Sequence, residues 1–469
     1  MTVKRKRKIN NDTTGGNLKS SIWKLAVPMM FGAVLHDLFS LADLFFVGRL
    51  GHEAVASLTI SGFILSVIMM AIIGIATGTT ALIAHFTGRK DYESADLVLF
   101  QTVVVSIVGS LIMVFIGLFA TDFLLRLFGA TPEIIPAAAE YLRICFVWSI
   151  FIFLFIGFNQ ALRGSGDVVV PLKVLILANV INIIIDPMFI FGFGIIPSMG
   201  VAGSAIATVL SRGIGVFILL FHFMFGHSSL HFRKNIFRLN FMLITRMIKI
   251  GFFASFEVLL RQISILLLAR LVVSFGAVAL AAFGIAMRLR MSIIMLGMGM
   301  ADTASVLIGQ NMGSGNPNRA QKSGMKTLKY FELMIIPIAV LFFVFSGKII
   351  GLFNNYPLVI DIGKPLLKLV AVTLPFLALA LILGRGVTGA GDTLAPAVVT
   401  GIAQLGLRVP VAYLMVSVFA LGVNGVWMGI IVSDIFQGLA MLWYFKKGYW
   451  KKRYYKHRVI LEQGGFIDA

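Results

Sequence analysis

Long apolar stretches, each bounded by glycine, proline or charged residues, follow one another along the whole chain. Twelve are long enough to cross about 30 Å of hydrocarbon. They cover approximately residues 22–47, 54–84, 97–120, 135–159, 168–191, 201–223, 248–274, 278–308, 331–353, 358–383, 395–419 and 423–445. Backbone polar groups in lipid must be satisfied within the segment itself, so runs of this length predict helices. The predicted fold class is an all-α polytopic membrane protein with twelve transmembrane helices. Composition agrees, since 59% of the 469 residues are hydrophobic and only 13% are charged, against roughly 25% charged in a soluble domain. The first run follows a basic stretch, but it is too long for a signal-peptide core and lacks a small-residue cleavage site. It is expected to be retained.

Charge changes the picture by orienting the runs. A formal net charge of +20 would suggest nucleic acid in a soluble chain, but here the cations sit in short segments between apolar runs. With an even number of runs, both ends fall on one side. The segment "KRKRK", the loop "GRK", the long loop with Arg233, Lys234, Arg238 and Arg246, the group Arg319, Lys322, Lys326 and Lys329, and the tail "KKGYWKKRYYKHR" all fall there. The opposite loops hold few cations, among them Arg49, Arg126 and Lys348. By the positive-inside rule the basic side is cytoplasmic, so the expected location is the inner (plasma) membrane, multi-pass, with both termini inside. No nucleic-acid partner is expected. Tyr449, Trp450, Tyr454 and Tyr455 among the tail lysines fit an interfacial anchor. A single cysteine, Cys145, excludes an internal disulfide or a cysteine cluster. His222, His227 and His231 stand without patterned partners and read as charged loop rather than a metal site.

Internal repetition decides the architecture. "TGRKDYESA" answers to "MGSGNPNRA", and "RGSGDVVVP" to "TGAGDTLAP". Gly51 and Gly276, Gly88 and Gly313, Gly164 and Gly389, and Pro171 and Pro396 all differ by 225 positions. After the fifth run the register slips by three residues, so "GVAGSAIATVLS" from Gly200 pairs with "GVNGVWMGIIVS" from Gly422. The reading is an N-lobe over residues 1–225, a basic cytoplasmic linker over 226–240, a C-lobe over 241–445 and a basic tail over 446–469. Six runs per half relate the two bundles by a pseudo-two-fold axis along the membrane normal, a plan used by secondary transporters.

Candidate chemistry is concentrated in the first and fifth runs. Asn179, Asn182 and Asp186 stand at i, i+3 and i+7 on one helical face, and His36, Ser40 and Asp43 repeat that spacing. At the 225 offset Asn182 corresponds to Leu407, Asp186 to Val411 and Asp43 to Leu268, so the packing shared by the repeats does not require these groups. An intramembrane carboxylate binds a cation, takes a proton, or belongs to a polar network that ties helices together. Pro187 leaves the Ile183 carbonyl without its helical donor beside Asp186, and Pro28 weakens the first helix in the same way.

The stretches "PMMFGAVLHDLFSLADLFFVGRLG", "RGSGDVVVPL", "NIIIDPMFIFGFG" and "GVAGSAIATVLS" resemble the signatures of the multidrug and toxic compound extrusion (MATE) family, cation-coupled exporters with two six-helix lobes. The resemblance spans almost the whole chain. It implies that Asp43, Asn182, Asp186 and Thr208 form a coupling site for H⁺ or Na⁺ and that Pro28 is the bending point; by their spacing on the same helical faces, His36, Ser40 and Asn179 are expected to line that site. It implies an antiporter exporting lipophilic organic cations by alternating access, with the coupling ion in place of a cofactor. The expected partners are a small amphiphilic substrate and the bilayer, and the expected state is a monomer.

Two alternatives come from other residues. Glu257, Arg261 and Arg288, with Arg270, Arg290 and Arg408 nearby in the second half, are either an internally paired network or a substrate site. In the second case they would favour a flippase or exporter of an anionic or lipid-linked cargo. The 41 phenylalanines and 22 methionines offer a pliable lining for lipophilic cations or simply face lipid. "GSGD" and "GAGD" resemble the GxGD signature of intramembrane proteases, but their repeat-equivalent places before a helix-opening proline read as turns with a capping aspartate. No enzymatic activity is expected. Neither glycine loop continues as a P-loop, which leaves an ion gradient as the energy source.

Overall fold

The computed structural model describes residues 13–225, 228–232 and 237–454, without the side chains of residues 36–42, 67, 68 and 71. Expectations resting on residues 4–8, His227, Arg233, Lys234, Tyr455 or the side chains of His36 and Ser40 lie outside the described residues.

The first repeat comprises α1 (Leu18–Gly48), α2 (His52–Gly88), α3 (Tyr92–Phe119), the short α4 (Thr121–Leu127), α5 (Ile135–Val147), α6 (Ser149–Ser165), α7 (Val169–Phe191) and α8 (Gly200–Phe225). The second comprises α9 (Phe241–Val273), α10 (Ala277–Gly313), α11 (Pro317–Val344), the short α12 (Ser346–Gly351), α13 (Pro357–Gly389), α14 (Leu394–Gly401), a π-helical turn (Ile402–Arg408), α15 (Val409–Ser417) and α16 (Val423–Lys447). Each of the twelve apolar runs falls on a helix or on a helix interrupted once. Among the described residues nine helices are each long and apolar enough to cross a membrane, and α5 with α6, bent by 53°, makes a tenth. The break at Trp148 has no proline to announce it. The eleventh run is interrupted by the π-helical turn instead, a local widening common near functional sites.

Turn chemistry explains the GxGD motifs. Gly166 and Gly391 have φ of 91° and 88°, a left-handed backbone that glycine adopts without penalty. The Asp167 carboxylate accepts from the Val169 and Val170 amides at 3.2 Å each, and that of Asp392 from the Ala395 amide at 3.4 Å. Both aspartates serve to start the next helix.

The chain forms two compact units, Phe31–Phe252 with Thr13, and Thr14–Met30 with the residues from Phe253 onward. The helix that opens each repeat therefore begins in the other unit. In α1 the change falls just after Pro28, and in α9 it falls at Phe253, the repeat partner of Pro28. In the first unit Phe158, Leu162, Val216, Leu219 and Phe223 are packed into one apolar core. The second unit is centred on α10, α13 and α16, where Phe283 stacks on Trp427 with ring centroids 5.8 Å apart.

The start of the tail is docked on the second unit. Trp450 is fully buried, stacks on Phe445 at 5.2 Å and donates from Nε1 to the Phe445 carbonyl at 3.0 Å. Arg453 reaches Asp392 at 2.9 Å, and Tyr444 donates to the same carboxylate at 2.5 Å. Trp450→Phe keeps an aromatic ring but removes one of the two donors to the Phe445 carbonyl, leaving the Gly448 amide at 3.2 Å. It is expected to cost about 0.5–1.5 kcal/mol, measurable as a lower thermal midpoint of the purified protein.

Candidate functional site

In the first unit α7 presents Asn179, Asn182 and Asp186 inward on one face, all buried. The Asn179 amide donates to the Leu35 carbonyl of α1 at 3.4 Å, which ties α7 to the helix bearing Asp43. With its amide oriented by its neighbours, Asn182 donates to Asp43 Oδ1 at 3.2 Å and accepts from the Thr208 backbone amide at 3.3 Å. One side chain thus joins α1, α7 and α8.

Helix α8 comes this close because Gly203 has no side chain. A Cβ there would run into the Phe189 carbonyl of α7. The same approach brings Ser204, on the next residue, beside the Asp186 carboxylate. The Ser204 hydroxyl approaches the carboxylate without reaching normal hydrogen-bond geometry. Both Asp186 oxygens, Ser204 Oγ, Thr208 Oγ1 and Asn179 Oδ1 are buried without a hydrogen-bond partner among the described residues. Buried polar groups are nearly always paired, so a cluster of unpaired oxygens is a place for something that binds oxygen.

Charge sharpens this. Asp43 and Asp186 are near enough to repel, and Arg212, on α8, attracts Asp43. Arg212 is itself buried, with its guanidinium 4.9 Å from the Phe155 ring centroid. Tyr141 of α5 is close enough to interact with both carboxylates and packs beside Val47, Ile190 and Val201. Carboxylate, hydroxyl and amide oxygens form a hard donor set suited to a proton or an alkali cation. Among the described residues no group of three or more His, Cys, Asp or Glu side chains converges as a metal site.

Asp43, Asn182, Asp186 and Thr208 are thus brought together, and Asn179 joins them. Pro28 lies in α1 within the residues of the other unit. Ser204, Arg212 and Tyr141 escaped the sequence reading. Ser204 and Arg212 stand four residues either side of Thr208, on the α8 face that meets α7, and that spacing was the available signal.

The second unit holds a different constellation. Glu257 and Arg261 pair along α9 at 2.8 Å, and Arg288 is exposed and also engaged, so neither Arg261 nor Arg288 stands as a free cation. Deeper in, Arg290 of α10 bonds Asp434 of α16 at 2.5 and 3.1 Å. Arg408, at the end of the π-helical turn, bonds Asp434 at 2.8 Å and Ser433 at 2.8 Å. Asp434 was not singled out in the sequence.

The MatE family model matches the chain twice, over residues 28–188 and 254–414. The chain belongs to the MatE family. It is 29% identical over 437 residues to the "Probable multidrug resistance protein NorM" of Thermotoga maritima, covering 93% of this chain and 94% of that protein. It is 25% identical to the "Multidrug export protein MepA" of Staphylococcus saprophyticus, over 90% of this chain and 93% of that one. The crystal structure of MATE in the bent conformation superposes with a TM-score of 0.87 at 25% identity, over 93% of this chain and 97% of that chain. Each match to the MatE model begins in the first helix of one repeat and ends in the fifth span of that repeat. The first contains Asp43, Asn182 and Asp186. The relatives of this MatE chain are transporters, which places it with transporters rather than proteases.

Proposed function

We propose that this MatE protein is a secondary active antiporter that exports lipophilic organic cations in exchange for H⁺ or Na⁺, with Asp43, Asn182, Asp186 and Thr208 as the exchange site. The observation that carries the reading is Asp186, a buried carboxylate with neither oxygen paired among the described residues, one helical turn from an asparagine bonded to Asp43. An ionised carboxylate in a membrane segment is costly unless paired, hydrated or protonated. Asp186 therefore favours whichever cation is available, and a second carboxylate nearby couples the two sites. A bound coupling ion and a bound organic cation then compete for the same charge, which is the thermodynamic core of antiport. Pro28 supplies a weakened point in α1 between its first residues and the segment carrying Asp43. On this reading the chain works as a monomer in the cell membrane with both ends cytoplasmic, supported by the bias of its cations to one side.

Competition is directly measurable. Tetraphenylphosphonium added to the purified protein in weakly buffered, sodium-free solution is expected to release protons. With sodium present at constant pH it releases Na⁺ if that is the coupling ion. Asn182→Leu removes the bond to Asp43 and is expected to weaken the release about 10-fold, equivalent to about 1.4 kcal/mol. Cation binding that releases neither ion would contradict the exchange.

A further inference from the structure

We propose that the second unit carries a site for an anionic phospholipid headgroup, formed by Lys348, Lys364 and Lys368 at the end opposite the basic loops. This goes beyond the cation exchange of the first unit and does not depend on it.

The repeat supplies the first observation. Helices α3 and α11 end at Phe119 and Val344, and α4 and α12 begin at Thr121 and Ser346, so the offset of the repeat holds through this corner. In the first unit Arg143 of α5 donates to both oxygens of Asp122 of α4, at 3.0 Å each. At the same offset Arg143 answers to Lys368 of α13 and Asp122 to Gly347 of α12. The second unit keeps the cation and lacks the carboxylate. The place of that acceptor is open to a group from outside the chain.

Charge balance is the second observation. Lys348 and Lys364 are exposed and Lys368 is half-buried, and none of the three makes an ion pair or hydrogen bond among the described residues. Asp361, one turn before Lys364, makes none either. Three lysines against this one aspartate leave the group with an excess of positive charge. Cations are scarce on this side of the protein, where the positive-inside rule disfavours a cluster of them. A basic cluster at a membrane surface attracts anionic lipid by about 1 kcal/mol per residue.

The third observation selects a lipid over a free anion. All three side chains rest on one short stretch, residues 343–347. Lys368 Nζ lies 5.2 Å from the Phe343 ring centroid and Lys348 Nζ 5.8 Å from that of Phe345. The stem of Lys364 lies against Gly347, its Cδ 3.7 Å from where a Cβ would stand. Phe343, Val344 and Phe345 are 45%, 61% and 46% exposed. Exposed apolar surface directly beside uncompensated ammonium groups suits an amphiphile with an anionic head and apolar chains. A zwitterionic head brings its own cation and leaves the charge balance unchanged, whereas phosphatidylglycerol brings a net negative charge.

The test is equilibrium binding of radiolabelled phosphatidylglycerol to the purified full-length protein in dodecyl maltoside micelles, with phosphatidylcholine of the same chains as the zwitterionic control. Saturable binding of phosphatidylglycerol, about 10-fold tighter than the control, is expected. Replacing Lys348, Lys364 and Lys368 together by glutamine should abolish the preference. Gly347→Asp restores among these lysines the carboxylate of the first unit, at a helical position with room for a side chain. It keeps every cation and is expected to weaken phosphatidylglycerol binding about 5-fold. Replacing Lys322, Lys326 and Lys329, three exposed lysines at the basic end of the same unit, by glutamine is expected to leave the binding within about 2-fold, because charges that distant are screened. No saturable binding by the unaltered protein, binding indifferent to Gly347→Asp, or equal losses in the two triple variants would overturn the proposal. Displacement of the lipid by glycerol phosphate at comparable concentration would overturn it in favour of a free phosphate site.

Discussion

Replacing Asp186 by asparagine is expected to reduce gradient-driven export of a lipophilic cation about 100-fold or more, the equivalent of about 2.7 kcal/mol in the transport step. The protein should stay folded and inserted. Asp186 is fully buried and both of its oxygens lack a partner among the described residues, so its charge does not hold the fold together. An unpaired buried charge is a net cost to the folded state. Asparagine has nearly the same shape and removes that cost. The thermal midpoint of Asp186→Asn is therefore expected to equal or exceed that of the unaltered protein, while coupled export is lost. Asp43→Asn is expected to lose export as well, but with some loss of stability, because Asp43 accepts from Asn182 and faces Arg212. Thermal unfolding and export measured on the same preparations separate the two effects. Full export by both variants would remove the exchange site from the account.

The opposite pattern is expected at Asp434, whose replacement by alanine should cost about 3–5 kcal/mol of stability. Its carboxylate is the common acceptor for Arg290 and Arg408, and removing it leaves two buried guanidiniums facing each other. The triple change Arg290→Met, Arg408→Met and Asp434→Leu keeps comparable volume and removes every charge. It should recover most of the loss, because buried ion clusters are often no more stable than well-packed apolar replacements. A drop of well under 1 kcal/mol on Asp434→Ala, read from denaturation midpoints, would mean that the cluster is hydrated and contributes little. The contrast between Asp186 and Asp434 rests on pairing, since both aspartates are buried to the same degree.

Hydropathy alone located the helices, because in lipid the backbone has almost no alternative to helix. It could not locate the 53° bend between α5 and α6, where no proline marks the chain, or the π-helical turn at Ile402–Arg408, since both depend on packing between helices. Nor could it show that the opening segments of α1 and α9 are each shared with the other unit, a contact property with no local signal. At the site, the i, i+3, i+7 spacing of Asn179, Asn182 and Asp186 was legible as a face, and that face is buried as a unit. Ser204 was not, because it looks like any small residue in "GVAGSAIAT" until Gly203 is seen to meet the Phe189 carbonyl. The arginines of the second half were visible in the sequence, but their partner was not. Asp434 lies in the last span, 144 positions from Arg290, and only its repeat partner Arg212 hinted that this position carries charge in both halves.

The most direct test of the central claim is export of ethidium by the purified protein in liposomes, with an inward-directed H⁺ or Na⁺ gradient imposed in separate experiments. The account predicts ethidium movement against its own gradient, driven by one of the two ions and abolished when that gradient is collapsed. No ethidium movement under either gradient, from protein shown to be inserted and folded, would contradict it.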